Sequence, residues 1–174
     1  MSILERFGLK QQGYFLFLAR LVQDKNPDFL IKGFIASQHK NLKLVIAGNN
    51  TADAEYINSL HRIAEGNDDV LFTGAVYDKD KEELLRNAFV FCLPSTIEGL
   101  SIGLLEAMSR KLPIIASDIE ANREVLDENE AVWVRPENTN DIKEAIEYCI
   151  ANPEKLEEYK EVNYRKVVEN YTWE

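Results

Sequence analysis

Short apolar runs alternate with longer amphipathic stretches about six times before the C-terminal end of the chain, a rhythm that repeated βαβ units produce. The runs YFLFLA (14–19), LKLVIAG (42–48), VLFTG (70–74), FVFCLP (89–94), PIIAS (113–117) and AVWV (131–134) lack clean alternation. Strands covered on both faces of a parallel sheet read this way. Between them, Pro27 to Ser37, Asp53 to Glu65, Asp80 to Ala88, Ser101 to Arg110 and Glu120 to Leu126 read as helices by period or propensity. Ile142, Ala145, Ile146, Cys149 and Ile150 then fall on one helical face, with Asp141, Lys143, Glu144 and Glu147 opposite, until Asn152-Pro153 stops the helix. A charged stretch from Glu154 to Asn170 carries Leu156, Tyr159, Val162 and Val167 on a poorer pattern and is expected to pack on the outside. The pattern predicts an α/β chain: a single Rossmann-like, doubly wound domain over 1–174 with a parallel sheet of about six strands.

At 174 residues, 45% of them hydrophobic, the chain can bury one full core but not two large ones. Thirty acidic residues against twenty basic give a formal charge of -10. Nucleic acid and anionic membrane are repelled in bulk, so no nucleic-acid partner is expected and any anion site must be built locally. Cys92 and Cys149 have no neighbours at metal-ligand spacing and read as buried reduced thiols. No apolar segment approaches the roughly 18 residues that would span a membrane. The N-terminus MSILERFGLK lacks the layout of a signal peptide, and a cytoplasmic location is expected.

Ligands of a doubly wound sheet bind beyond the carboxyl ends of its strands, so the residues after each strand are the candidates. Three junctions stand out. After the first strand, Arg20 and Lys25 place two cations in one loop of an acidic chain, a bidentate fork and a point charge suited to a diphosphate. A solvated loop explains the same two residues. After the second strand, Gly48 permits a close backbone approach, although Gly48-Asn49-Asn50 also suits a plain turn. After the fourth strand, Glu98-Gly99-Leu100 forms a turn and Ser101 is a good N-cap for a helix through Leu104, Leu105 and Met108. Free N–H groups and the helix dipole at that start attract phosphate. Gly103 weakens the helix by roughly 1 kcal/mol relative to Ala, which close packing would explain. Glu106 sits among Leu104, Leu105 and Ala107 and needs donors, from ligand hydroxyls or from a basic residue. A glycosidase would need its two carboxyls facing at about 5–9.5 Å; a nicotinamide enzyme would need a G-x-G-x-x-G, which does not follow the first strand.

Nearly the whole chain resembles the C-terminal, donor-binding domain of the retaining GT-B glycosyltransferases of family four, the group 1 glycosyltransferases. The resemblance rests on Arg20 with Lys25 downstream, Ile46-Ala47-Gly48, Phe72 to Val76, Leu93 to Ser95, Glu98-Gly99 through Glu106-Ala107-Met108, and Pro113 to Asp118 followed by Glu124. Its specific part is the pair of glutamates with seven residues between them. It implies that Arg20 and Lys25 hold the donor diphosphate and that Glu98 contacts the donor sugar, helped by backbone N–H groups of Gly99, Leu100 and Ser101. It further implies that Glu106 accepts from the ribose hydroxyls and that backbone around Val76 lines the base pocket. The family usually has a glycine where Ser101 stands, and another where this chain has Arg110-Lys111-Leu112.

The implied activity is transfer of a hexosyl group from a nucleotide-diphosphate sugar to a saccharide or lipid-linked acceptor, as in polysaccharide assembly. The implied donor is a substrate; no cofactor is expected, and no Asp-x-Asp pair is placed to bridge a diphosphate through a metal. Such enzymes carry a second Rossmann-like domain that binds the acceptor and supplies a histidine; neither His39 nor His61 lies in that motif. The N-terminal acceptor domain is therefore expected as a partner outside this chain, and the whole enzyme as peripheral to the membrane when its acceptor is lipid-linked. The end at Tyr171-Thr172-Trp173-Glu174 resembles the point just before the family's final helix crosses to the other domain. The alternative is a stand-alone, non-catalytic nucleotide-sugar binding module. Either way Lys25→Ala or Glu106→Ala would erase ligand-induced stabilisation while hardly moving the melting point of the free chain.

Overall fold

The computed structural model describes residues 1–171; the chain end at Thr172-Trp173-Glu174, where the resemblance puts the approach to another domain, lies outside the described residues. Six strands, β1 (Tyr14–Leu18), β2 (Lys43–Ala47), β3 (Val70–Gly74), β4 (Val90–Leu93), β5 (Ile114–Ser117) and β6 (Val132–Val134), fall inside the six apolar runs. All pair in parallel, in the order β3-β2-β1-β4-β5-β6. This is the doubly wound fold expected from the alternation, and its direction of winding reverses between β1 and β4.

Period two along β1 divides the core. Tyr14 and Leu16 enter one buried cluster with α4 (Asp78–Asn87) and α5 (Ile102–Ser109); Phe15 and Phe17 enter the other with α2 (Pro27–Ala36), α3 (Ala54–Ala64) and α7 (Thr139–Ala151). Burial on both faces explains why the strand runs show no polar alternation. Where α2 meets α7 the helices touch closely: a Cβ on Gly33 would stand 2.5 Å from Ile142 Cγ2. The start of α7 is fixed by Asp141, which accepts from the Arg135 guanidinium and backbone; that guanidinium pulls the carboxyl down to about 2.

Differences from the sequence reading lie at the ends. A short α1 (Ile3–Arg6), capped by Ser2, precedes the first strand, where a four-residue helix gives too little periodicity to read. Residues 153–170 form α8 (Pro153–Asn170), which is less peripheral than expected. Leu156 and Tyr159 join one core cluster and Val167 the other, so the helix passes from one face of the sheet to the other. Val162, expected on its apolar side, is 46% exposed. Both cysteines are free and buried, and burial pushes the Cys149 thiol up to about 12.

Candidate donor site at the carboxyl edge of the sheet

The loops after β1 and β4, which flank the reversal of winding, are laced together. Asn26 turns the chain in the left-handed region at φ 56° and is 3% exposed. Its Nδ2 donates to the Pro94 carbonyl at 2.9 Å and to Thr96 Oγ1 at 2.7 Å, while the Thr96 N–H donates to the Asp24 carbonyl at 2.9 Å. A buried asparagine with both amide hydrogens engaged fixes one loop against the other. Nothing in the sequence pattern pointed to Asn26.

This lacing brings Lys25 to Glu98. The ammonium donates to both carboxylate oxygens at 2.7 and 2.8 Å, and Ser95 Oγ donates to Oε2 at 2.8 Å. The side chains of Lys25 and Glu98 are 25% and 8% exposed. The lysine expected to clamp a diphosphate is thus paired with the glutamate expected to touch the sugar. The expectation that Lys25→Ala leaves the free chain's melting point unmoved changes accordingly. The substitution strands a nearly buried carboxylate on one serine hydroxyl, and stability should fall by about 1–3 kcal/mol. Thermal melts should show roughly 2–4 °C per kcal/mol for a chain of this size, with recovery in Lys25→Met/Glu98→Gln; no drop would mean that water already satisfies Glu98.

Arg20, Gly48, Val76 and Glu106 share one open cleft of about 300 Å³ over the ends of β1, β2 and β3. Arg20 is exposed there, its nearest polar partner being Asn50 Oδ1 at 3.5 Å. Glu106, 18% exposed, has found a donor: Lys81 Nζ at 2.9 Å, from the first turns of α4. Lys81 is the basic residue foreseen as one source of donors for Glu106. Lys81 lines the same cleft and was missed, because an isolated lysine on a charged helix face carries no signal until the fold sets it beside Glu106.

Glu98, Gly99 and Leu100 line a different depression of about 490 Å³ with Glu124, over the ends of β4 and β5. The two glutamates therefore stand at opposite ends of one segment, in separate cavities and on separate lysines, and do not line one cleft as a glycosidase pair would. Ser101, between them in the sequence, is the N-cap of α5: its Oγ accepts from the Leu104 N–H at 3.1 Å. The histidines are structural neighbours of the core, His39 stacked on Phe34 and His61 against Phe72, each at 4.0 Å between centroids.

The glycines separate by role. Gly103 needs correction: a Cβ there would meet Leu18 O and Phe91 Cζ at 3.6 Å, ordinary contact, so packing does not demand glycine. It lines the Arg20 cleft instead. A Cβ on Gly99 would meet nothing within 4 Å. Gly99→Ala is accordingly expected to leave the melting temperature within about 2 °C while weakening sugar-dependent ligand binding. Calorimetric titration and melts of the same variant check both halves. The missing glycine after α5 leaves Lys111 in the left-handed region at φ 59°, the C-terminal position that glycine fills at lower cost.

A family model described as glycosyl transferases group 1 matches residues 3–166. The chain belongs to this family. A glycosyltransferase of Methanocaldococcus jannaschii, described as uncharacterized, is 31% identical over 163 residues, covering 91% of this chain and 41% of that protein. Among solved structures, the C-terminal domain of a group 1 family glycosyltransferase from Francisella tularensis has a TM-score of 0.82 at 20% identity, over 93% of this chain and 87% of that one. Anabaena HepE in complex with UDP-glucose gives 0.83 at 17% identity, over 94% of this chain and 47% of that one. The chain spans about two fifths of the length of the first curated relatives it matches. Its fold is that of a GT-B C-terminal domain, which gives the group 1 chain a carboxyl-edge cleft and leaves the ligand of that cleft to its own residues. No described helix of the group 1 chain is long and apolar enough to cross a membrane.

Proposed function

We propose that this group 1 glycosyltransferase chain is the donor-binding half of an enzyme that moves a hexosyl group from a nucleotide-diphosphate sugar to a saccharide or lipid-linked acceptor, with retention of configuration. The acceptor-binding N-terminal domain is a partner outside this chain. The observation that carries the reading is the cleft holding an exposed arginine, the strand-end backbone of Gly48 and Val76, and a carboxylate paired with a lysine.

Both acidic anchors are neutralised by lysines, and that arrangement suits exchange. An arriving diphosphate offers Lys25 and Lys81 a dianionic partner beside Arg20. The ligand's hydroxyls then replace the lysines as donors to Glu98 and Glu106. Each carboxylate keeps its hydrogen bonds through the swap, so entry of the ligand leaves no buried charge bare. Arg20, the freed ammonium groups and the N–H groups opening α5 stabilise the negative charge that grows on the nucleoside diphosphate as the glycosidic bond breaks. Backbone around Val76 lines the base, and Gly99 to Ser101 lie along the sugar. These cations take the neutralising role, and no cofactor is assigned.

The complex of Anabaena HepE with UDP-glucose supports a nucleotide-sugar ligand for this fold. The test is a thermal-shift panel of UDP, GDP, dTDP and ADP, with and without attached hexoses. One base should stand out, adding about 2.7 kcal/mol at 100 times its dissociation constant. The chain alone should bind that ligand and transfer little. A flat panel would remove the donor reading; transfer as fast as a two-domain enzyme would remove the division of labour.

A further inference from the structure

In this chain of formal charge -10, most cations have a carboxylate partner among the described residues. Among the described residues, Lys10, Arg20, Lys32, Lys40, Arg62 and Arg165 have no carboxylate within 4.0 Å. Arg20 stands in the donor cleft, and Lys32 lies over the Phe29 ring at 5.6 Å. Lys10 and Lys40 both line a second cavity of about 620 Å³, whose wall also holds Lys43 and Asp69.

This cavity lies at the amino ends of β1, β2 and β3, the opposite edge of the sheet from the donor cleft. The single acid in its wall is already engaged. Lys43 Nζ donates to Asp69 Oδ1 at 2.7 Å, and His39 Nε2 lies 3.2 Å from Oδ2. The hydrogen bond from Lys43, with a smaller one from His39, holds the Asp69 carboxyl below its ordinary range. The charge left over in the wall is positive.

The two loops that carry the free lysines are fixed by the sheet they lead into. The Gly13 N–H donates to the Lys10 carbonyl and the Lys43 N–H to the Gly13 carbonyl, both at 3.0 Å. Only a glycine fits at 13 without pressing on this turn, since a Cβ would stand 3.0 Å from Lys10 O and 3.2 Å from Lys10 Cβ. Lys40 itself is held in the left-handed region at φ 53°, a conformation that costs a lysine on the order of 1 kcal/mol and that Leu42, bonded to the His39 carbonyl, closes into a turn.

We propose that this cavity is a second anion site, taking a phosphate-bearing group between Lys10 and Lys40 with Lys43 at its side. Free phosphate or pyrophosphate and the phosphate of a lipid headgroup share the required chemistry. Two ammonium groups on fixed loops, unmatched by acid in the cavity wall, make a local positive potential within an acidic chain.

The test follows backbone amide signals of Lys10, Gly13, Lys40 and Lys43 while inorganic pyrophosphate is added to the chain, in the native protein and in Lys10→Glu/Lys40→Glu. Both lysines are exposed, so the variant should keep the native spectrum elsewhere. Saturable shifts that weaken at least tenfold in the variant establish a free-anion site. Cosedimentation with phosphatidylglycerol vesicles but not phosphatidylcholine vesicles, lost in the variant, assigns the site to a lipid headgroup. No shift with pyrophosphate and no vesicle binding, or responses unchanged in the variant, overturn the proposal. Signals of Arg20 and Gly48 report the donor cleft separately, so failure of one site is not read as failure of the other.

Discussion

Glu106→Ala is expected to weaken binding of the preferred nucleoside diphosphate by at least tenfold, and nearer a hundredfold if both ribose hydroxyls lose their acceptor. A hydrogen bond to a charged group contributes about 1.5–3 kcal/mol, and each 1.4 kcal/mol is a factor of ten. The free chain should barely notice. Lys81, the partner left behind, is 35% exposed and can turn to water, and alanine suits the interior of α5. Titration calorimetry reads the binding and a thermal melt reads the fold. A melt lowered by many degrees with binding intact would make Glu106 a strut that ties α5 to α4 through Lys81.

Gly48→Ala should do the reverse, damaging the fold first. A Cβ at this position would stand 1.9 Å from the Ala19 carbonyl oxygen, a backbone atom, and a Cβ has no torsion by which to swing away. The Gly48 N–H donates to the Gly74 carbonyl at 3.0 Å and the Ala19 N–H to the Ala47 carbonyl at 3.2 Å. Three strand ends must move together to make room. Overpacking usually costs about 1–3 kcal/mol, and a clash with backbone belongs at or above the upper end. At roughly 2–4 °C per kcal/mol the melting temperature should fall by about 10 °C, with ligand binding lost as Arg20 and Val76 separate. A melt unchanged in the variant would mean that the β1 and β2 ends are looser than their hydrogen bonds imply. The glycine that looked available for a ligand thus serves first to let one strand end pass another.

How far the sequence reached follows from the range of each interaction. All six strands and the order of the main helices were legible because burial on two faces leaves apolar runs, and helices leave a period. Ser101 as N-cap was legible for the same local reason. The placing of Arg20, Gly48, Val76 and Glu106 in one cleft came from junction positions and a family resemblance together. What stayed hidden was pairing across the sheet. Lys25 with Glu98 spans 73 positions, Asn26 with Pro94 spans 68, and Lys81 with Glu106 spans 25. No local pattern encodes such pairs, and they decide which charges are free. Lys25 reads as a waiting clamp along the chain, whereas in the fold it is a partner to be exchanged.

The most direct test maps the tightest-binding nucleoside diphosphate onto the chain by amide chemical shifts at substoichiometric and saturating ligand. The earliest and largest changes should fall at Arg20, Gly48, Val76 and the start of α5 around Gly103, with Lys25 and Glu98 following when the attached sugar is present. Changes confined to other surfaces, with those residues silent at saturation, would contradict a donor site in this cleft.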